Sequence, residues 1–172
     1  MMKKIFWAFL VAGVYADCVT AWAATAEADV RGTAEGSAIS GKAVLTDTDK
    51  GLKIAVDFQN VPAGTHGFHI HENGSCDDAG KAAGGHYNPD ASPHGLLAKD
   101  GFEHAHAGDF GNVEIGPDGS GHAEMSLPGL TVSGGKYNVA GKAFILHEKA
   151  DDFGQPTGNA GGRIACGQIR TQ

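Results

Sequence analysis

The chain has 172 residues, a formal net charge of −7 and 27 glycines. This length suits one domain, or one domain with a processed leader. An acidic chain lacks the clustered Lys and Arg that phosphate contacts need, so we expect no nucleic-acid partner. After the first two dozen residues, short β-branched segments alternate with Gly, Asn, Asp and Pro, which predicts an all-β domain.

The N-terminus has the pattern of a secretory signal peptide. Residues 1–4 (MMKK) are positively charged, and residues 5–15 are an apolar stretch too short to span a bilayer comfortably. The A-x-A sequence at 21–23 predicts cleavage after Ala23, with Ala26 as a second candidate. The expected parts are a signal peptide over 1–23 and a mature domain over 24–172.

Cleavage implies an exported protein that has no membrane attachment. The two-lysine leader is typical of bacterial export, so the periplasm is the expected compartment, with the extracellular medium as the alternative. An uncleaved membrane anchor is the alternative.

The cysteine count points to a disulfide. Cleavage removes Cys18, and Cys76 and Cys166 remain, an even count in an exported protein. Their cross-link would close a loop of roughly 90 residues and contribute about 4–5 kcal/mol in the chain-entropy model. The alternative, two free thiols, does not suit an oxidising compartment.

Partial alternation of apolar and polar residues predicts eight strands. In chain order they cover 28–34, 37–46, 51–60, 65–72, 109–115, 121–127, 142–147 and 163–170. Two segments without a regular period, 73–106 and 151–162, are long loops. The first is unusually long for a compact domain and holds many histidines, so we interpret it as an ordered loop held by metal. Eight short strands predict a sandwich or flattened barrel.

The placement of the nine histidines indicates a metal site. His69 and His71 lie on one face of the fourth predicted strand because side chains alternate, while Phe68 and Ile70 point into the core. Such a pair alone is also compatible with an ordinary polar strand face.

More candidate ligands follow along the chain. They are His86, His94, His104, His106, Asp109 and, at the end of the seventh predicted strand, His147. Three imidazoles and one carboxylate suit tetrahedral zinc, and His106 and Asp109 are close enough in sequence to reach one ion. Imidazole is a good ligand for copper as well.

Five strings of this sequence resemble one known family. GFHIHENGSC, GGHYNP, HAGDFGN, HEKADD and TGNAGGRIACG occur in this order between about residue 28 and the C-terminus, and are similar to the copper/zinc superoxide dismutases. The resemblance implies an eight-stranded Greek-key flattened barrel or sandwich with two long functional loops. It also implies one copper and one zinc per subunit. The expected reaction converts superoxide to dioxygen and hydrogen peroxide by alternating reduction and oxidation of copper.

The resemblance also implies residue roles. The implied copper ligands are His69, His71, His86 and His147, and the implied zinc ligands are His86, His94, His106 and Asp109. His86 would be a bridging imidazolate that also handles a proton. Asp151 would join a copper histidine to a zinc histidine, Arg163 would orient superoxide beside the copper, and Thr157 would line the channel mouth. Cys76 and Cys166 would form the family's intrasubunit disulfide.

Three histidines have no implied role. We interpret His66 and His122 as surface residues of strands, and His104 as a bystander because a four-ligand zinc site is complete without it. Asp118, Ser120 and His122 contain the residue types of a hydrolase triad, but a plain hairpin is the favoured interpretation.

The approach of an anionic substrate needs a local positive field, because the chain is negative overall. The second loop is short and has no lysine between Asp152 and Thr157, unlike the eukaryotic cytosolic pattern. Lys149, Lys81 or Lys99 would supply the field instead.

Two other functions and one assembly state are left open. A non-enzymatic copper/zinc carrier can use the same fold, but such proteins lack a ligand or the arginine. A structural β-sandwich would leave the histidine spacing unexplained. A homodimer is one arrangement that the family permits, and the sequence shows no decisive patch for it.

Overall fold

The computed structural model describes residues 23–172, so the predicted signal peptide, apart from Ala23, lies outside the described residues. Nine strands are present in this part of the chain. They are β1 (Thr25–Gly32), β2 (Ser40–Thr48), β3 (Gly51–Gln59), β4 (Gly64–His71), β5 (Asp109–Ile115), β6 (Gly121–Leu127), β7 (Ala143–His147), β8 (Arg163–Gln168) and β9 (Arg170–Thr171). One short α-helix, α1 (Leu97–Asp100), and a 3-10 turn at Lys81–Ala83 lie in the first long loop.

The strands form an antiparallel sheet that curls into a nearly closed Greek-key barrel. The order of neighbouring strands is β5-β4-β7-β8-β1-β2-β3-β6, with β9 paired to β1. The two outer strands, β5 and β6, are joined by the turn at 116–120. The predicted all-β, eight-stranded fold with two long loops is therefore confirmed, and the short β9 is added to it.

Alternation along the strands separates a packed interior from the surface. In β3, Leu52, Ile54, Val56 and Phe58 are fully buried and alternate with more exposed residues. Phe68 of β4 packs edge-on against Phe58 and stacks on Phe144 of β7, with ring centroids 5.4 and 4.9 Å apart. The inward faces of β4 and β7 therefore pack into the core, and their outward faces can carry polar side chains.

The last predicted strand is divided in two. β8 ends at Gln168 and β9 begins at Arg170, because Ile169 turns its backbone toward the chain before β7. The Ile169 N–H donates to the Lys142 carbonyl at 2.8 Å, and the Gly141 N–H donates to the Ile169 carbonyl at 3.0 Å. After this turn, β9 pairs with β1.

The two long loops are anchored to the barrel by covalent and polar links. Cys76 in the first loop forms a disulfide with the buried Cys166 of β8, which confirms the predicted pair. No helix among residues 23–172 has the length and apolar character needed to cross a membrane.

Candidate metal centre

The site is built on the outer face of β4 and β7. His69 pairs with Ile145, and His71 pairs with Ala143, in the antiparallel ladder. His69 and His71 point away from Phe68 and Ile70, as alternation predicts. His147, the last residue of β7, completes this face, and all three histidines are buried.

A first cluster holds four imidazoles. One nitrogen from each ring lies within 4.8 Å of the others, and the members are His69, His71, His86 and His147. The Nε2 atoms of His71 and His147 are 3.3 Å apart. Four nitrogens at this spacing match the ligand number and type that copper accepts.

A second cluster joins three imidazoles to one carboxylate, and its members are His86, His94, His106 and Asp109. The Nδ1 atoms of His86 and His106 lie 2.7 and 3.1 Å from Asp109 Oδ1. The Nδ1 atom of His94 lies 2.8 Å from Asp109 Oδ2. This is the donor set and compactness of a tetrahedral zinc site.

His86 belongs to both clusters. Its Nδ1 faces Asp109, while its ring lies 4.2 Å from that of His69 and 4.9 Å from that of His71. A backbone bridge between His71 and His86 holds the loop against the end of β4. One imidazole is thus placed between two groups of ligands.

In each of these histidines, the hydrogen bond made by one ring nitrogen determines which nitrogen faces the cluster. His71 Nδ1 donates to the Gly84 carbonyl at 2.9 Å, so its Nε2 is left with a lone pair. His69 Nε2 and His94 Nε2 both donate to Asp151, at 2.8 and 3.0 Å. Asp151 therefore joins a histidine of the first cluster to one of the second, as expected for a carboxylate that orients metal ligands.

Two inward nitrogens have no hydrogen-bond partner among residues 23–172. The Nδ1 atoms of His69 and His94 are buried and unsatisfied, although His94 Nδ1 lies close to Asp109. Buried polar atoms without partners are costly and need an explanation. Metal ions coordinated by these nitrogens would satisfy both, so the residues present fit one copper and one zinc.

Burial keeps most of the first cluster neutral. Loss of water contact, reinforced by neighbouring histidines, lowers the pKa of His71 to about 2 and that of His147 to about 3. Burial also lowers the pKa of His86 to about 4, against the opposing hydrogen bond to Asp109. Neutral imidazoles are the form that binds metal.

The carboxylates of the site are held ionised. Burial opposes their charge, but hydrogen bonds from the surrounding histidines hold the pKa of Asp109 and that of Asp151 well below the usual range. Burial also opposes the charge on His94, yet the adjacent Asp109 carboxylate and the hydrogen bond to Asp151 prevail and raise its pKa to about 9 in the metal-free chain.

A cleft of about 190 Å³ opens onto the first cluster. Its lining includes His71, His86, His147, Thr157 and Arg163. The Arg163 guanidinium donates to the Gly80 and Gly84 carbonyls, at 2.6 Å each, which fixes its direction. The structure thus brings both expected channel residues to the mouth of the site.

His66 corrects one sequence interpretation. It is only 4% exposed, not a surface residue. Its Nδ1 lies 2.8 Å from the His147 carbonyl and its Nε2 lies 2.8 Å from the Pro62 carbonyl, so the ring links the start of β4 to the end of β7. Its alternation with Phe68 and Ile70 was the sequence signal for burial.

The other two unassigned histidines are exposed, as expected for His122. His104 belongs to neither cluster. His122 lies 2.7 Å from Asp57, while Ser120 Oγ donates to Asp118 at 2.8 Å. Because His122 is paired elsewhere, these residues form a hairpin and no hydrolase triad.

Two amide side chains at the site were not found from the sequence. Asn112 bonds both backbone groups of Asp151, and Gln155 bonds both backbone groups of His94. Neither residue type is a strong metal signal, and their partners are distant in sequence.

A buried pair of histidine clusters that share one ring, set on an antiparallel barrel, defines a protein built to hold two metal ions side by side. A sequence profile of the family described as copper/zinc superoxide dismutase (SODC) matches residues 39–169. The chain belongs to this family, whose metals are copper and zinc and whose activity is superoxide dismutation.

Individual proteins agree with this assignment. "Superoxide dismutase [Cu-Zn] 1" of Aquifex aeolicus (strain VF5) is 39% identical over 137 residues, covering 76% of this chain and 79% of that protein. "Extracellular superoxide dismutase [Cu-Zn]" of Caenorhabditis elegans is 41% identical over 127 residues, or 70% of this chain, and the match spans 56% of that longer protein. The crystal structure of the clock protein EA4 covers 87% of this chain and 96% of its own, with a TM-score of 0.75 and 31% identity.

Proposed function

We propose that the two clusters divide the metals as follows. Copper is held by His69, His71, His86 and His147, and zinc is held by His86, His94, His106 and Asp109. The membership of His86 in both clusters is the observation that carries this proposal, because a shared imidazole couples the two sites. The presence of all seven ligands with Asp151 and Arg163 favours the enzyme over a non-enzymatic carrier.

Copper, when bound, supplies the one-electron chemistry that converts one superoxide to dioxygen and the next to hydrogen peroxide. Arg163 lies at the cleft and orients the anion by charge and hydrogen bonding, since its guanidinium is fixed by two carbonyls. Thr157 lines the same cleft and limits its mouth.

His86 handles a proton in this scheme. Its Nδ1 is directed to the zinc cluster, so Nε2 is the nitrogen that faces the first cluster. We assign to Nε2 one of the two protons that the second superoxide needs to become hydrogen peroxide; Nε2 holds this proton in one half of the cycle and gives it up in the other, and solvent supplies the second proton. Asp151 keeps His69 and His94 in place throughout, through its bonds to both Nε2 atoms.

Lys149 is our candidate for attracting superoxide. Its side chain lies beside Gly161, which lines the cleft; a Cβ added at Gly161 would lie 3.3 Å from Lys149 Cδ. Lys81 instead lies 3.9 Å from Asp78, and Lys99 belongs to α1, outside the cleft lining. A cation at the mouth raises the local concentration of an anion despite a negative net charge.

The protein is exported in this proposal, with the periplasm as its compartment. A disulfide supports an oxidising environment, the leader has a bacterial export pattern, and one relative is named extracellular. The start of β1 at Thr25 supports cleavage after Ala23, because a cut after Ala26 would remove the first residues of a strand in which Ala26 is fully buried.

Metal analysis of the purified mature protein with a superoxide-consumption assay tests the proposal. We expect one copper and one zinc per chain and fast, cyanide-sensitive turnover. Bound metal without turnover would favour the carrier and contradict the enzyme.

A further inference from the structure

The short segment between Asp152 and Thr157 contains Phe153, Gly154, Gln155 and Pro156, none of which is charged. It therefore brings no lysine to the substrate channel. Two of its side chains instead contact His94, which lies in the other long loop, 61 positions from Gln155.

Gln155 pairs with the backbone of His94. The His94 N–H donates to Gln155 Oε1 at 2.9 Å, and Gln155 Nε2 donates to the His94 carbonyl at 2.8 Å. Within residues 23–172, neither backbone group of His94 bonds another backbone group. A carboxamide is the side-chain group that can accept from an N–H and donate to a carbonyl at the same time.

Phe153 lies over the imidazole of the same residue. The ring centroids of Phe153 and His94 are 6.5 Å apart, and the ring planes differ by 21°. Phe153 is 43% exposed and has a φ of 60°, which is unfavourable for a bulky side chain. A costly conformation that persists beside a functional site indicates that the surrounding contacts require it.

The packing around His94 leaves little room for rearrangement. A Cβ at Gly158 would lie 1.9 Å from Asp151 Oδ1 and 2.7 Å from His94 Nε2, so the backbone passes directly over the Asp151–His94 contact. His94 is thus held at its backbone by Gln155, at Nε2 by Asp151, and from above by Phe153.

We propose that Gln155, with Phe153 above the ring, is a positioning residue that fixes His94 and slows the loss of zinc. The inference rests on the proposed assignment of zinc to the second cluster. His94 lies in a loop, whereas His69, His71 and His147 are carried by strands. Loss of the Gln155 contacts should therefore loosen zinc and leave copper retained.

The test uses the protein loaded with copper and zinc, and follows the release of each metal to an excess of a coloured chelator at neutral pH. Gln155→Met removes both bonds without adding charge. Gln155→Glu keeps the size and can accept from the His94 N–H, but it cannot donate to the carbonyl. Gln59→Met and Gln59→Glu are the matched controls, because Gln59 is an exposed amide at the end of β3.

We expect both Gln155 variants to release zinc about tenfold faster than the wild type, the lower end of what loss of an outer-shell partner costs in metal affinity. Copper release from the Gln155 variants should match that of the wild type. The Gln59 variants should release both metals at the wild-type rates. Co²⁺ placed in the zinc cluster should show an altered visible spectrum in the Gln155 variants, since the spectrum reports the ligand geometry.

Two results would overturn the proposal. One is zinc release from the Gln155 variants at the rate of the Gln59 variants. The other is equal acceleration of zinc and copper release with a lowered unfolding midpoint of the metal-free protein, which would make Gln155 a general stabiliser of the fold. Failure of the wild-type protein to bind zinc would instead refute the metal assignment, and the proposal with it.

Discussion

Arg163 is a single side chain whose effect on turnover can be separated from metal binding. It lines the cleft but belongs to neither ligand cluster. Arg163→Ala should lower superoxide consumption about tenfold or more, the minimum effect of losing a focused positive charge. Copper and zinc contents should remain near those of the wild type.

Elemental analysis and superoxide consumption at low ionic strength measure the two quantities on the same preparation. Arg163→Lys is the matched variant, because it keeps the charge but cannot reproduce the bonds to the Gly80 and Gly84 carbonyls. Unchanged activity of Arg163→Ala at low salt would show that the guanidinium does not guide the substrate.

Unlike Arg163, Asp151 should affect metal binding directly, because it acts through the metal ligands. Its carboxylate accepts from His69 and His94, one histidine of each cluster. Asp151→Ala should weaken zinc affinity by roughly 10–100-fold, the range for loss of a carboxylate that orients metal ligands. Competition with a chelator of known affinity measures the change, and full occupancy by both metals in the variant would refute the bridging role.

The β4 strand shows how far alternation alone leads. It correctly predicts that His69 and His71 share a face and that Phe68 and Ile70 lie in the core. The same rule places His66 with the core residues. Histidine is a polar residue type, however, and its ring nitrogens can be buried here because they face two backbone carbonyls. The His147 carbonyl lies 81 positions away and the Pro62 carbonyl lies in the turn before β4, so composition gives no hint of either contact.

His66→Ala tests that correction. The substitution leaves the buried His147 carbonyl and the partly buried Pro62 carbonyl without their partner, which should cost about 1–3 kcal/mol in the free energy of unfolding. Urea unfolding of the metal-free protein measures the loss. The exposed His122→Ala is the control and should change stability by less than about 0.5 kcal/mol. Equal effects of the two variants would contradict a linking role for His66.

The loops were less predictable than the strands. Between 73 and 106 no period fixes the backbone, so the spacing of His86, His94 and His106 did not by itself show which rings converge. The family resemblance supplied that grouping, and the structure brings those rings together. The role of Gln155 had no comparable signal, because a pairing across 61 positions depends on how both loops fold.

The assembled histidine clusters predict how the stability of the metal-free protein depends on pH. The folded pKa values of His71, His86 and His147 lie below the ordinary histidine value of 6.5, so the unfolded chain binds more protons than the folded chain as the pH falls. Their contribution is present above pH 6.5 and is lost progressively as the pH falls from 6.5 toward their folded pKa values of about 4, 3 and 2. His94 has the opposite sign: its pKa of about 9 gives stability that is lost as the pH rises from 6.5 to 9.

The free energy of unfolding should therefore pass through a maximum near pH 6.5 in the metal-free protein. Urea unfolding between pH 4.5 and 8.5 measures the profile. Replacement of the exposed His104 and His122 by Ala should leave it unchanged, since neither belongs to a cluster. Stability that increases from pH 6.5 to pH 4.5 would contradict the neutral state assigned to the three buried imidazoles.

The disulfide connects stability to the channel across the whole molecule. It joins Cys76 to Cys166 over a separation of 90 positions, and the loop that follows Cys76 supplies the carbonyls of Gly80 and Gly84 that hold Arg163. Replacing both cysteines by Ser should lower the free energy of unfolding by about 4–5 kcal/mol in the chain-entropy model. It should also slow superoxide consumption, because a freed loop no longer fixes the guanidinium.

Urea unfolding and activity of the double variant, each compared with wild type in the presence and absence of a reductant, separate the two effects. The variant should be insensitive to reductant, whereas reduction of the wild type should reproduce both losses. Arg163→Ala in the double-serine background should then cost less activity than in the wild type, since the arginine is already mispositioned. A full additional loss would mean that the loop keeps its conformation without the cross-link, and that the disulfide stabilises the barrel without positioning Arg163.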